Sequence, residues 1–353
     1  MPIAKLRIFP ILAMVLVACS ADSASEEAAS EENLSSVAPV GPVVLVHAFH
    51  ATTSNAWSME PVATELRKGG AHVFLASVSP YGGTPLRAAE LGKEIDRILE
   101  AHCAKPPKES RTSCLAHTKV HLIGHSQGGL DARYVVGKLG YATKVASVTT
   151  LGAPHEGTPL GDAALRLLRD PRVRPETPEP DSGFAREMNA FVGSVGAGKL
   201  GALKDAFYWL SEARAKNPAD HIPDLPSVHY ESWAGVATSD GSLPPSLTPC
   251  EGRTSFPSRR AGELEGLADF VRFETVRSVF DADHTPNDGH IPVASARHPA
   301  ISEARWDFRG CVPADHLDLI GRPDTQQDGN RSKTGVSWKD TFAGLGKRLR
   351  AAE

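Results

Sequence analysis

The sequence predicts an α/β fold: a mainly parallel sheet flanked by helices, with a helical lid or cap inserted late in the chain. Three observations predict it. Short unbroken apolar runs alternate with amphipathic segments of helical spacing up to Leu151. A tight turn, Gly124-His125-Ser126-Gln127-Gly128, joins one such run to one such segment. Beyond residue 151 a glycine-broken pair of amphipathic stretches interrupts the alternation.

Val43 to Phe49 is continuously apolar, as in a strand covered on both faces. Trp57 to Lys68 sets Trp57, Val62 and Leu66 at helical spacing and stops at Gly69-Gly70. Val73 to Val78 reads as a second buried strand. Leu86 to His102 reads as a helix with Leu91, Ile95, Ile98 and Leu99 on one face. Lys119 to Gly124 brings Val120, Leu122 and Ile123 into the turn, Leu130 to Leu139 continues as a helix, and Val145 to Leu151 returns to strand. Such alternation implies parallel pairing through right-handed crossovers.

The character then changes. Pro171 to Pro180 reads as an exposed loop. Phe184 to Ala215 reads as two short amphipathic helices, carrying Met188, Phe191, Leu203 and Phe207 and broken by glycines from Gly193 to Gly201. This insertion, roughly residues 170–220, is either a docked cap or a mobile lid whose apolar face turns to lipid on opening. Tyr230 to Val236 is a strand, 239–265 a loop, and Trp338 to Leu349 a helix striped by Trp338, Phe342, Leu345 and Leu349.

The chain has 353 residues, a formal net charge of −4 and no basic, aromatic-interleaved tract, which argues against nucleic acid as a partner. Residues 1–18 read as a signal peptide. Lys5 and Arg7 precede an apolar run, Ile8 to Val17, too short to span a bilayer comfortably. The run ends in Leu16-Val17-Ala18-Cys19, which resembles the lipobox of bacterial lipoproteins. That resemblance implies cleavage before Cys19, lipidation of Cys19, and anchoring to the bacterial cell envelope, facing the periplasm or the cell surface. Residues 19–40, rich in Ser, Ala and Glu, read as a disordered tether, leaving 41–353 as one large domain with its insertion. Four further cysteines suggest two disulfides in an exported protein. Of the three possible pairings, Cys103–Cys114 with Cys250–Cys311 is preferred.

A Gly-x-Ser-x-Gly turn between a strand and a helix resembles the nucleophile elbow of the α/β-hydrolases. Serine is a poor nucleophile at neutral pH and needs an imidazole to take its proton and a carboxylate to orient that imidazole. On this fold the chain order is Ser, then Asp or Glu, then His. Downstream of Ser126, Thr285-Pro286-Asn287-Asp288-Gly289 presents a carboxylate on a turn, and His316 follows near the chain end. His284, His290 and His298 lie too close to Asp288 to come from a separate loop. Two backbone amides must meet the oxyanion; Gln127, after the nucleophile, and Phe49, after the first strand, are the expected donors.

With these residues placed, the chain resembles the secreted bacterial triacylglycerol lipases, in particular the calcium-binding true lipases. The resemblance rests on Pro42-Val43-Val44-Leu45-Val46-His47, on Gly124 to Gly129, on Ser147 to Thr158 with its Leu-Gly-Ala-Pro-His-Glu-Gly-Thr ending, on Tyr230 to Gly235, on Asn287-Asp288-Gly289 and on His316-Leu317-Asp318. It implies an α/β-hydrolase fold, a triad of Ser126, Asp288 and His316, and oxyanion donors Phe49 and Gln127. It also implies a structural Ca²⁺ at Asp318 and Asp269, with no cofactor for the chemistry. Related lipases often use a folding chaperone, and nothing in this sequence speaks to that. Ala48 stands where the family has glycine, and its disulfide near the acid loop has no counterpart. The expected activity is hydrolysis of carboxylic esters, foremost triacylglycerols, through an acyl-enzyme. A short-chain carboxylesterase, a lipid acyltransferase and a non-catalytic surface binding protein are the rival readings.

Overall fold

The computed structural model describes residues 41–55, 57–104, 110–173, 182–236, 286–298, 306–312, 314–321, 339, 342 and 344–353. The signal peptide, Cys19, the tether, Cys250, Asp269, Trp338, the 239–265 loop and most of Pro171–Pro180 lie outside these residues.

Among the described residues, six parallel strands form the sheet: β1 (Val43–Val46), β2 (Val73–Leu75), β3 (Val120–His125), β4 (Val145–Leu151), β5 (His229–Gly235) and β6 (Trp306–Val312), in the order β2-β1-β3-β4-β5-β6. The register sets Val46 against Gly124, His125 against Leu151, and Leu151 against Trp233. The carboxyl ends of the central strands therefore finish level, and the segments that follow them share one edge.

The apolar runs have no polar alternation because both faces of the sheet are covered. Val44, Val46, Leu122 and Val148 face a core with Leu91, Ile95 and Ile98 of α2 (Thr84–Cys103) and Val135 of α4 (Gln127–Gly137). Val43, Leu45, Ile123 and Leu151 face another, with Val62 and Leu66 of α1 (Glu60–Lys68) and Leu345 and Leu349 of α10 (Leu345–Ala351).

A further apolar cluster lies above that sheet edge. It gathers α5 (Pro159–Leu167), α6 (Ser182–Val195) and α7 (Leu200–Leu210) through Leu160, Phe184, Met188, Phe191, Leu203 and Phe207, onto Phe49 and Leu130 of the core. The two expected amphipathic helices are α6 and α7, parted at Gly196, whose φ of 93° an L side chain rarely adopts. The four-residue α8 (Glu212–Ala215) closes this region, capped by Ser211.

Some boundaries differ from expectation. Helix α1 begins at Glu60 rather than Trp57, with proline in its first turn, where no amide donor is needed. The last helix starts at Leu345 because Gly344 is left-handed, with a φ of 66°. Arg111–His117 forms α3; Ser110 caps it, and the expected Cys103–Cys114 disulfide ties it to α2. Cys311 is also disulfide-bonded, and its expected partner Cys250 lies outside the described residues. The short helix α9 (Val293–Arg297) lies between β5 and β6 in the chain.

Candidate active site

The turn from β3 into α4 puts Ser126 at φ 56° and ψ −125°, a region costly for any residue with a Cβ. Packing holds it there. A side chain on Gly124 would strike the Gly128 carbonyl, and one on Gly128 would strike the Val46 carbonyl. The Ser126 amide donates to the Leu151 carbonyl at 3.0 Å, locking the turn to the end of β4.

Asp288 and His316 meet beside that turn. His316 Nδ1 lies 2.7 Å from Asp288 Oδ2, and both side chains are buried. Asp288 Oδ1 accepts the amides of His290 at 2.9 Å and Ile291 at 2.7 Å, and the Asp288 carbonyl accepts the His316 amide at 2.9 Å. Main chain and side chain thus fasten the acid loop to the histidine loop. The pair sits against Gly152: a Cβ there would lie 2.8 Å from Asp288 Oδ2 and 3.3 Å from His316 Nδ1. His125, the neighbour of Ser126, sends Nε2 to the His316 carbonyl at 2.7 Å, with ring centroids 4.5 Å apart. His290 stacks on the His316 ring at 4.7 Å. His284 lies outside the described residues, and His298 bonds Asp224 at 2.8 Å.

Burial sets the ionisation. It pushes His316 down to about 3, so the imidazole is neutral near pH 7 and can accept a proton. It pushes Asp288 up to about 6 against the opposing pull of His290 and of its amide donors. Above that pH the carboxylate accepts Nδ1–H, which leaves Nε2 of His316 as the basic nitrogen.

Gln127 opens α4, where first-turn amides lack intrahelical acceptors and favour negative charge. Its side chain donates Nε2 to the Gly82 carbonyl at 2.8 Å. Phe49 sits under the cap, its ring 5.3 Å from Phe207, 5.9 Å from Tyr81 and 6.0 Å from Phe191. The carbonyl of His47, just before that segment, is held by the wholly buried Arg87 at 2.6 Å. Arg87 also reaches Asp131 Oδ2 at 2.7 Å and the Ser79 carbonyl at 2.8 Å. Sequence reasoning missed Arg87 and Asp131. The signal was there: Arg87 falls one turn before Leu91 and two before Ile95, a charge on the apolar stripe of α2.

Among the described residues, two groups could hold a metal ion: Asp288 with His290 and His316, and His229 with Glu231 and Asp307. Asp318 is in neither; its Oδ2 accepts the Asp315 amide at 3.3 Å, within the histidine loop.

A serine on a strained strand-to-helix turn, beside a buried Asp–His pair at the carboxyl edge of a parallel sheet, decides the architecture. The fold is that of the α/β-hydrolases. A lipase of Bacillus licheniformis in its mature form superposes with a TM-score of 0.51 at 20% identity, covering 88% of this chain and 92% of that one. In sequence the chain is esterase/lipase-like. Residues 42–177 match the family model for palmitoyl protein thioesterase. A triacylglycerol lipase of Vibrio cholerae is 26% identical over 222 residues, 58% of this chain and 65% of the relative. One of Pseudarthrobacter phenanthrenivorans is 35% identical over 134 residues, 36% of this chain and 37% of the relative. The chain therefore spans from about a third to just under two thirds of these curated relatives' length.

Proposed function

We propose that this α/β-hydrolase cleaves carboxylic esters, most favourably triacylglycerols, with Ser126, His316 and Asp288 as its triad. The observation that carries the reading is the buried 2.7 Å contact between His316 and Asp288 beside the strained turn that presents Ser126. His316 takes the Ser126 proton as Oγ attacks the ester carbonyl. The amides of Phe49 and Gln127 hold the oxyanion, and His316 then protonates the departing alcohol. Water, activated by the same imidazole, releases the fatty acid. The apolar cap over Phe49, together with relatives named as triacylglycerol lipases, favours a long acyl chain. Residues 41–353 act as one catalytic domain whose insertion is the lid.

Fluorophosphonate labelling with peptide mapping tests the nucleophile: label is expected on Ser126 and absent from Ser126→Ala. Hydrolysis of short and long p-nitrophenyl esters, below and above the concentration at which they aggregate, tests the substrate. Activity confined to short monomeric esters makes the protein a carboxylesterase, and transfer to an added alcohol that outruns hydrolysis makes it an acyltransferase. In the same reading the chain is exported and tethered through a lipid on Cys19. Among the described residues no helix is long and apolar enough to cross a membrane. A structural Ca²⁺ would take carboxylate oxygens from Asp318 and Asp269 and steady the histidine loop. Calcium should then raise the melting temperature, and Asp318→Asn should remove the rise.

A further inference from the structure

His290 has no place in the proton relay, yet it is built into the same pocket. Its amide is spent on Asp288 Oδ1 at 2.9 Å and its ring stacks 4.7 Å from the His316 ring at an interplanar angle of 24°. Both of its ring nitrogens are buried, and neither has a hydrogen-bond partner among the described residues. Stacking alone does not account for this: a phenyl ring would stack as well, without the free-energy cost of two buried, unpaired nitrogens. The nitrogens need something to bind. One ligating atom from each of His290, His316 and Asp288 lies within 4.8 Å of the other two. A tetrahedral zinc ion, with bonds of about 2.0–2.1 Å, holds its ligands roughly 3.3 Å apart. Small rotations of two side chains close that difference.

We infer that His290, His316 and Asp288 form a site for one zinc-type divalent transition-metal ion, and that the bound ion switches the hydrolase off. The donor set selects the metal. Two imidazoles and one carboxylate, with a fourth position for water, suit zinc; calcium takes six to eight oxygens. The switching follows from the assignment of His316 as the base and Asp288 as its partner, on which this inference rests. A ring nitrogen and a carboxylate committed to the metal no longer take the Ser126 proton or orient the imidazole.

The other cluster is a weaker host. Glu231 is already paired with Arg348 at 2.9 Å, and Arg309 lies 3.9 Å from both Glu231 and Asp307, so fixed cations repel an incoming one. The exposed His72–His102 pair, with Nδ1 atoms 3.4 Å apart, offers two nitrogens on the surface and has to be removed from any measurement.

The test therefore uses the full chain carrying His72→Gln. Cobalt(II) titrated into this protein with Ser126→Ala should give the intense visible absorption of a tetrahedral site, saturating at one equivalent and displaced by zinc. With the serine intact, zinc should inhibit ester hydrolysis, and a chelator should restore it. His290→Phe keeps the stack and removes the nitrogens. It should preserve zinc-free hydrolysis, abolish the cobalt band and raise the half-inhibitory zinc concentration about tenfold or more. If His290→Phe does not fold, as read by circular dichroism, His290→Asn carries the same comparison. Equal zinc sensitivity in parent and variant, a cobalt band that survives the substitution, or metal binding without inhibition would each overturn the inference. Full hydrolysis by Ser126→Ala would sink the triad instead, while the cobalt band would still report the metal site.

Discussion

Arg87 and Asp131 form an ion pair at 2.7 Å in which neither side chain is exposed to solvent. The pair joins α2 to the helix that follows the nucleophile turn, and the same guanidinium holds the His47 carbonyl at 2.6 Å. Burial raises the Asp131 carboxyl to about 6 despite its partner. Removing one member leaves an uncompensated buried charge. Arg87→Met is expected to lower unfolding stability by about 3–5 kcal/mol, read from urea denaturation at pH 7.5. Arg87→Met with Asp131→Leu should recover most of that loss. Hydrolysis should be low in both variants, because the Arg87 guanidinium no longer holds the His47 carbonyl ahead of Phe49. A double variant as unstable as the single one would show that the pair itself stabilises the fold.

The Ser126 backbone stores strain that a glycine would release. At φ 56° and ψ −125° a residue with a Cβ is held in a costly conformation. Ser126→Ala keeps that cost and Ser126→Gly removes it, partly offset by the greater freedom of glycine in the unfolded chain. Both variants should lose hydrolysis, with the glycine variant about 1 kcal/mol more stable than the alanine one in matched urea melts. Equal melts would mean that the turn relaxes around alanine.

How much of this was readable beforehand depends on the distance over which the determining interaction acts. The strands around Val43, Val120 and Val145 were legible because burial on both faces removes polar alternation, a purely local signature. The glycines flanking Ser126 were legible as part of a short recurring turn pattern, although the contact that forces Gly128, with the Val46 carbonyl, comes from another strand. Arg87 and Asp131 were not, since their meaning comes from each other across 44 residues of chain. Strand β6 was not, because Asp307, Arg309 and Gly310 interrupt its apolar run. Its place comes from pairing with β5 in the sheet.

The cap has an aromatic clasp that can be opened singly. Phe191 lies 6.0 Å from Phe49 and 5.6 Å from His50, joining α6 to the segment after β1. Phe191→Ala removes a buried ring, a loss of about 3–5 kcal/mol when borne by one core. Here it falls on the cap rather than on the sheet. Limited proteolysis should cut within residues 182–210 at least about tenfold faster, with the main melting transition little moved. Cleavage unchanged by the substitution would mean that the remaining contacts suffice to keep the cap docked.

Acid should act on rate and stability through different groups. Catalysis needs Asp288 ionised, and its carboxyl is raised to about 6, while His316, lowered to about 3, stays neutral well below that. The rate on a soluble ester should therefore rise through about pH 6 and level off above it. Asp288→Asn should remove the limb and cost on the order of 10⁴-fold in kcat, through loss of the correct imidazole tautomer. Stability follows from the sign of each shift. His47, lowered to about 4, and His290 and His316, lowered to about 3, contribute stability present above the unfolded value of 6.5 and lost as pH falls through those values. Burial lowers His125 and His155 in the same sense. Asp131 and Asp288, raised to about 6, act the opposite way: their contribution grows as pH falls from about 6 towards 3.8. Five buried imidazoles outweigh two carboxyls, so urea midpoints should fall steadily from pH 7 to pH 4. A midpoint that rises on acidification would mean that the carboxyls dominate, and that the histidines around Ser126 are solvated in the folded protein.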